Sequence, residues 1–173
     1  MTERSFPPLL QQLGQLDFDY ADGEGYDFEP FPDFLSESET QHWIRAWTGN
    51  ATVAGNDFLV FGQDGTGGYT AFWSVRPGAP LLEQPIVFLG SEGSRGVVAC
   101  NFADYLWLIA GGVGPCEAIE QPDREPAPAE IAQDFLRFAE QHAPDARKTR
   151  EEVLTAAAQE FPGFDSYIHS LCK

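Results

Sequence analysis

Residues 16–31 read LDFDYADGEGYDFEPF, a stretch in which six residues are carboxylates and five are aromatic. So many carboxylate oxygens could bind calcium. An EF-hand loop needs oxygen ligands at positions 1, 3 and 5, a glycine at position 6 and a glutamate at position 12. Placing Gly23 at position 6 leaves Phe18 and Tyr20 at positions 1 and 3, and starting at Asp17 leaves no oxygen ligand at position 5. Because each register breaks the pattern, we predict no calcium site here.

The same stretch could instead contact another protein. Carboxylates attract a basic partner, and aromatic rings anchor an interface when they lose their water. The candidate partner-binding residues are Asp17, Asp19, Tyr20, Asp22, Glu24, Tyr26, Asp27, Phe28 and Glu29. The alternative is a solvated segment whose carboxylates have no partner and whose rings pack into the body of the protein. The sequence leaves both interpretations open.

Other motifs that could carry chemistry fail in their spacing. The run FGQDGTGGYT lacks the lysine of a phosphate-binding loop and precedes a strand pattern, so it is typical of a hairpin turn. The run LGSEGSRG has leucine where a serine nucleophile elbow requires glycine. Three histidines and three cysteines show no metal-ligand spacing. From these motifs we therefore predict no catalytic residue, no metal and no cofactor.

The net charge of −17 restricts the partners of this chain. Phosphate backbones and anionic lipids repel so acidic a protein, so we expect no direct nucleic-acid or membrane binding. Ten of the 27 acidic residues lie within the first 40, where Arg4 is the sole base. No apolar run has the length of a membrane span or a signal peptide, and three cysteines leave an odd thiol, as in a reducing compartment. We expect a soluble cytoplasmic protein with a basic protein partner.

The chain divides into two regions of different composition. Residues 1–35 contain four prolines and no clean hydrophobic period, so we expect an acidic N-terminal arm, extended or irregular, with some rings pinned to the body. Residues 36–173 show the helix and strand patterns of a single domain, including helices near the C-terminus. A length of 173 residues suffices to bury a proper core.

Start and stop signals place the elements of this domain. The S-x-x-E sequence at Ser36 predicts a capped helix that ends at Gly49. Short apolar runs between residues 58 and 100 are separated by glycine-rich turns, which favours antiparallel strands. Asn101 predicts the cap of a helix with one buried face, and Thr149 opens a later one. The order indicates an α+β fold: a mostly antiparallel, twisted sheet with helices packed against it.

Residues 58–75 read FLVFGQDGTGGYTAFWSV and residues 84–112 read QPIVFLGSEGSRGVVACNFADYLWLIAGG. An amphipathic helix follows a fixed succession of elements. These are a strand ending in glycine, a glycine-rich turn, a P-(V/I)-V-x-L strand, a second glycine turn and a strand ending in alanine. This succession resembles the SUKH superfamily, which is named partly for a yeast regulator of cell-wall glucan synthesis. The run VFLGSEGxxGVVA is its most specific part, and the match covers about a third of the chain.

The resemblance implies an α+β fold without enzymatic chemistry. Its bacterial members imply an immunity protein that neutralises a toxin domain, such as a basic nuclease, by direct binding. One alternative is a regulatory or scaffold protein of the cell-wall-synthesis-regulator type. Another is a small-ligand enzyme, which a deep cleft with clustered polar residues and strongly shifted pKa values would mark.

Overall fold

The computed structural model describes residues 4–173. Residues 1–3, at the start of the predicted arm, lie outside the described residues. The strands in the described range are Glu29–Pro30 (β1), Phe58–Gln63 (β2), Tyr69–Trp73 (β3), Ile86–Leu89 (β4) and Arg95–Ala99 (β5). The helices in that range are Pro8–Leu13 (α1), Glu37–Thr48 (α2), Phe102–Ala110 (α3), Pro115–Glu120 (α4), Ala129–His142 (α5), Arg150–Glu160 (α6) and Phe164–Leu171 (α7).

The strands form one antiparallel sheet in the order β1-β2-β3-β4-β5. Glycine-rich turns let β3 reverse directly onto β2 and β5 onto β4, whereas a longer connection that contains α2 separates β1 from β2. The β2–β3 turn contains Gly67 and the β4–β5 turn contains Gly93, both with positive φ. The glycine run after β2 therefore belongs to a hairpin, as predicted. The α+β class and the antiparallel pairing are both confirmed.

Both faces of the sheet are buried, because successive side chains of a strand point to opposite sides. Leu59 and Phe61 of β2 join the larger hydrophobic cluster, together with side chains of α3 and α5. Phe58 and Val60 join a second cluster on the other face, where Ile44 of α2 and side chains of α7 pack. The domain is therefore a sheet between two layers of helices.

The predicted capping signals are present in the structure. The Ser36 side chain accepts from the N–H of Glu39, whose carboxylate accepts from the N–H of Ser36. Gly49 ends α2 in the left-handed conformation, with φ of 66°. Asn101 caps α3 through a 2.8 Å hydrogen bond from the N–H of Asp104. The sequence predicted one buried face for α3, but seven of its nine residues are buried, because α3 packs between the sheet and α5 and α6.

The structure corrects the prediction of an extended or irregular N-terminal arm. Residues 8–13 form α1, and β1 pairs with β2 through Glu29 opposite Gln63 and Pro30 opposite Gly62. Side chains from this segment belong to the larger core cluster: Leu10, Leu13, Tyr26, Phe28 and Phe34. Rings do pin the segment to the body, as expected, but they do so by completing the domain core.

Candidate partner-binding site

Residues 17–29, which we call the acidic loop, fold back on themselves through backbone hydrogen bonds. The N–H of Tyr26 donates to the carbonyl oxygen of Asp19 at 2.8 Å, and the N–H of Gly25 donates to that of Tyr20 at 3.0 Å. A side chain at Gly25 would collide with the carbonyl of Asp19. The loop therefore holds one shape, and that shape depends on a glycine at position 25.

The tip of the acidic loop contains strained backbone. Ala21 and Asp22 have φ angles of 46° and 50°, in the left-handed region that non-glycine residues rarely adopt. The carboxylate of Asp19 accepts from the N–H of Ala21 at 2.9 Å and helps to hold this turn. Strain of this kind persists only where the surroundings fix it, and it clusters in functional segments.

Aromatic side chains fix the base of the acidic loop. The half-buried ring of Phe18 packs against Tyr26, Phe28 and Phe135, with centroid separations of 5.9, 4.9 and 4.7 Å. The hydroxyl of Tyr26 donates to the carbonyl oxygen of Ile109 at 2.6 Å, deep in the core. Burial, and secondarily the charge of Glu117, raise the pKa of Tyr26 well above its usual value, so this hydroxyl stays protonated.

The opposite side of the acidic loop faces solvent. Tyr20 is 57% exposed, and it is the only aromatic among the large hydrophobic side chains that are exposed within residues 4–173. Five carboxylates of the loop are also exposed: Asp17, Asp19, Asp22, Glu24 and Glu29. The acidic loop therefore exposes one ring and five carboxylates, while its buried rings pack into the core.

A layer of polar contacts supports the loop from the side of α4. The half-buried Asp27 accepts from the N–H of Gly65 at 2.8 Å, and its own N–H donates to Glu117 at 2.9 Å. Glu117 is 2% exposed and lies 3.6 Å from the guanidinium of Arg124, which also donates to the carbonyl of Glu24. Burial raises the pKa of Glu117, although hydrogen bonds and Arg124 oppose the shift.

Two of the predicted partner-binding residues must be corrected. Tyr26 is 1% exposed and Phe28 is 8% exposed, so neither ring can reach a partner in this fold. Asp27 is half-buried and holds the loop in place. Tyr26, Asp27, Phe28 and Glu29 alternate ring and carboxylate, as an extended segment with one inward face requires. Residues 17–20 alternate in the same way, so the pattern does not decide which ring is buried. Tyr20 belongs to the alternation of residues 17–20 and is nevertheless the ring that stays exposed.

The three histidines lie on three different helices, and Cys100 and Cys116 are buried. His42, His142 and His169 belong to α2, α5 and α7. Within residues 4–173, no group of three or more His, Cys, Asp or Glu side chains is arranged to hold a metal ion. Burial raises the pKa of the thiols of Cys100 and Cys116, so both stay protonated at neutral pH and are weak nucleophiles.

No family model, no curated protein and no solved structure matches this chain. The resemblance to the SUKH superfamily therefore stays a prediction that rests on the motifs of β2 to α3. Among residues 4–173, no helix is long and apolar enough to cross a membrane.

Proposed function

We propose that this chain is a binding protein without a reaction of its own, an immunity protein that neutralises a basic toxin domain by direct contact. One observation carries the proposal: Tyr20 is exposed among five exposed carboxylates on a loop that buried rings hold in place. A nuclease toxin would be a suitable partner, because nucleases hold phosphate with lysine and arginine. The acidic loop would occupy that basic surface and exclude the substrate.

The arrangement supports both fast association and high affinity. Dense negative charge steers a basic protein toward the loop and raises the association rate, chiefly at low salt. A tyrosine ring that enters a pocket of the partner supplies the kind of contact that dominates affinity in interfaces. Because the loop is already ordered, binding would lose little conformational entropy.

The proposed place of action is the cytoplasm, where a toxin delivered into the cell would meet the protein. The free thiols of Cys100, Cys116 and Cys172 fit a reducing compartment. The net charge of −17 argues against nucleic acid and anionic membranes as direct partners.

The proposal is tested with the product of the gene that adjoins this one, as the candidate toxin, in titration calorimetry at low and high salt. We expect tight binding that weakens as salt rises. The loop variant Asp17→Asn/Asp22→Asn/Glu24→Gln should weaken binding strongly. The control variant Glu125→Gln/Glu130→Gln/Asp145→Asn removes the same number of exposed charges elsewhere and should bind nearly as wild type.

Two results would contradict the proposal. One is binding that the loop variant and the control variant weaken equally, since only the total charge would then matter. The other would come from a growth assay. Cells that express the candidate toxin should survive with the wild-type chain and fail to grow with the loop variant. Survival with both would show that neutralisation does not use the acidic loop.

A further inference from the structure

A groove of about 460 Å³ lies beside β5, at one edge of the sheet. Ala118 and Ile119 at the end of α4 line one side, and Phe161 and Phe164 around the start of α7 line the other. Ala158 of α6 lines it as well. The groove is therefore largely apolar, and Arg95, Gly96 and Val97 of β5 line it as well.

The edge of β5 offers free backbone groups to this groove. The N–H of Gly90 donates to the carbonyl of Ser94 at 2.7 Å, so these residues form a hydrogen-bonded pair. Bonded and non-bonded pairs alternate along antiparallel strands. Arg95 and Val97, which lie opposite Leu89 and Val87, are therefore non-bonded, and their N–H and C=O groups point away from β4. Within residues 4–173, no further strand pairs with them.

The two edges of the sheet differ in how they are protected. The β1 edge is two residues long, carries the charge of Glu29, and ends in Pro30, which has no N–H. Such features block pairing with another strand. The β5 edge contains no proline, and Gly96 and Val97 at its centre are only half-buried. The helix α6 packs against β5, so the part of this edge that is open to an added strand is the half-buried segment 95–97, which lines the groove.

The charges around the groove favour a basic occupant. Arg95 is the cation among the lining residues, and its guanidinium bonds to Asp165 at 2.7 Å. Exposed carboxylates of Glu92, Glu120 and Asp123 lie in the turn before β5, at the end of α4 and just after the lining residue Pro122. An apolar groove with negative surroundings selects an apolar segment whose flanks are positive.

We propose that the groove binds an extended segment of a partner protein as a sixth strand of the sheet. Its backbone would pair with the outward N–H and C=O groups of Arg95 and Val97. Its alternate side chains would contact Ile119 on one side and Phe161 on the other, and lysine or arginine residues would flank it. This second surface goes beyond the proposed function and does not depend on the acidic loop.

The test uses a phage library of random twelve-residue peptides selected on the full chain. We expect enriched peptides with an apolar centre and basic flanks. Ala158→Trp should fill the groove and weaken the synthesised peptide about tenfold or more. Thr155→Trp is the matched control, because Thr155 is exposed on the same helix and does not line the groove. Circular dichroism of both variants checks the fold.

Strand pairing is tested separately through the backbone. Val97→Pro removes one outward N–H and leaves the bonds to β4 intact, so the peptide should again bind about tenfold more weakly. A peptide N-methylated at alternate residues should lose affinity by a similar factor. Amide exchange at Arg95 and Val97 should slow when the unmodified peptide binds.

Four results of the peptide experiments would overturn the proposal. They are failure to enrich any peptide, enrichment of acidic peptides, equal binding to Ala158→Trp and Thr155→Trp, and equal binding of the N-methylated peptide. A fifth is a dimer of this chain in sedimentation that Ala158→Trp abolishes and Thr155→Trp preserves. That result would make a second copy the occupant of the groove.

Discussion

Tyr20 and Tyr26 lie six residues apart in the acidic loop, and the structure assigns them opposite roles. Tyr26 is 1% exposed, packs on Phe135 at a centroid separation of 4.8 Å, and donates to the carbonyl of Ile109. Tyr20 is 57% exposed. Tyr26→Ala should therefore lower the free energy of unfolding, whereas Tyr20→Ala should weaken partner binding and leave stability almost unchanged.

The size of each effect follows from these contacts. Removing a fully buried aromatic side chain costs about 3–5 kcal/mol of folding free energy, a large fraction of the stability of a domain of this size. Tyr26→Phe keeps the ring and should cost about 1 kcal/mol, because the carbonyl of Ile109 also accepts from the N–H of Gly112 and keeps one partner. Tyr20→Ala should change stability by less than about 0.5 kcal/mol.

Urea unfolding, followed by tryptophan fluorescence, measures the free energy of unfolding of all three variants. Titration calorimetry measures their affinity for the partner. Tyr20→Ala should weaken binding about thirtyfold if its ring is an interface anchor. The reasoning would be refuted by a Tyr26→Ala protein as stable as wild type. It would be refuted equally by a Tyr20→Ala protein that unfolds early and binds normally.

Three further changes probe the supports of the acidic loop and the core. Glu117→Gln removes a carboxylate whose pKa burial raises; folding of the wild type then takes up a proton above the ordinary pKa of about 4.3. As the pH rises from the ordinary pKa toward the raised pKa of Glu117, the melting temperature of the wild type should fall relative to that of Glu117→Gln. Melting temperatures of the two proteins that change in parallel from acid to neutral pH would contradict this. Gly25→Ala should distort the acidic loop and weaken partner binding, as calorimetry would show, and unchanged affinity would mean that loop shape is unimportant. Asn101→Ala removes the cap of α3 and should lower the free energy of unfolding in urea by about 1 kcal/mol. Ala103→Ser, a substitution of similar size on the same helix, keeps the cap and serves as the comparison.

The helices and strands of residues 36–173 were largely predictable because their signals are local. Ser36, Gly49 and Asn101 act on the residues beside them, and glycine turns between apolar runs enforce antiparallel pairing. Two short helices were missed. The helix α1 follows Pro7 and α4 follows Gly114, without a side-chain cap in either case. Their stability comes from packing, which a local pattern does not record.

The acidic loop was predictable in composition but not in orientation. Its carboxylates stand out in the sequence, yet the burial of Tyr26 depends on Ile109 and Phe135, which lie far along the chain. The support from Glu117 and Arg124 likewise arises only when α4 folds beside the loop. Which ring remains exposed is therefore a tertiary property, and Tyr20 could be singled out only from the folded structure.

Hydrogen exchange of the complex tests most directly whether the acidic loop binds the partner. With the candidate toxin bound, we predict that amide exchange slows across residues 19–25, while exchange across the C-terminal helix α7 is unchanged. Unchanged exchange in residues 19–25, with protection of another surface of the chain, would contradict the account.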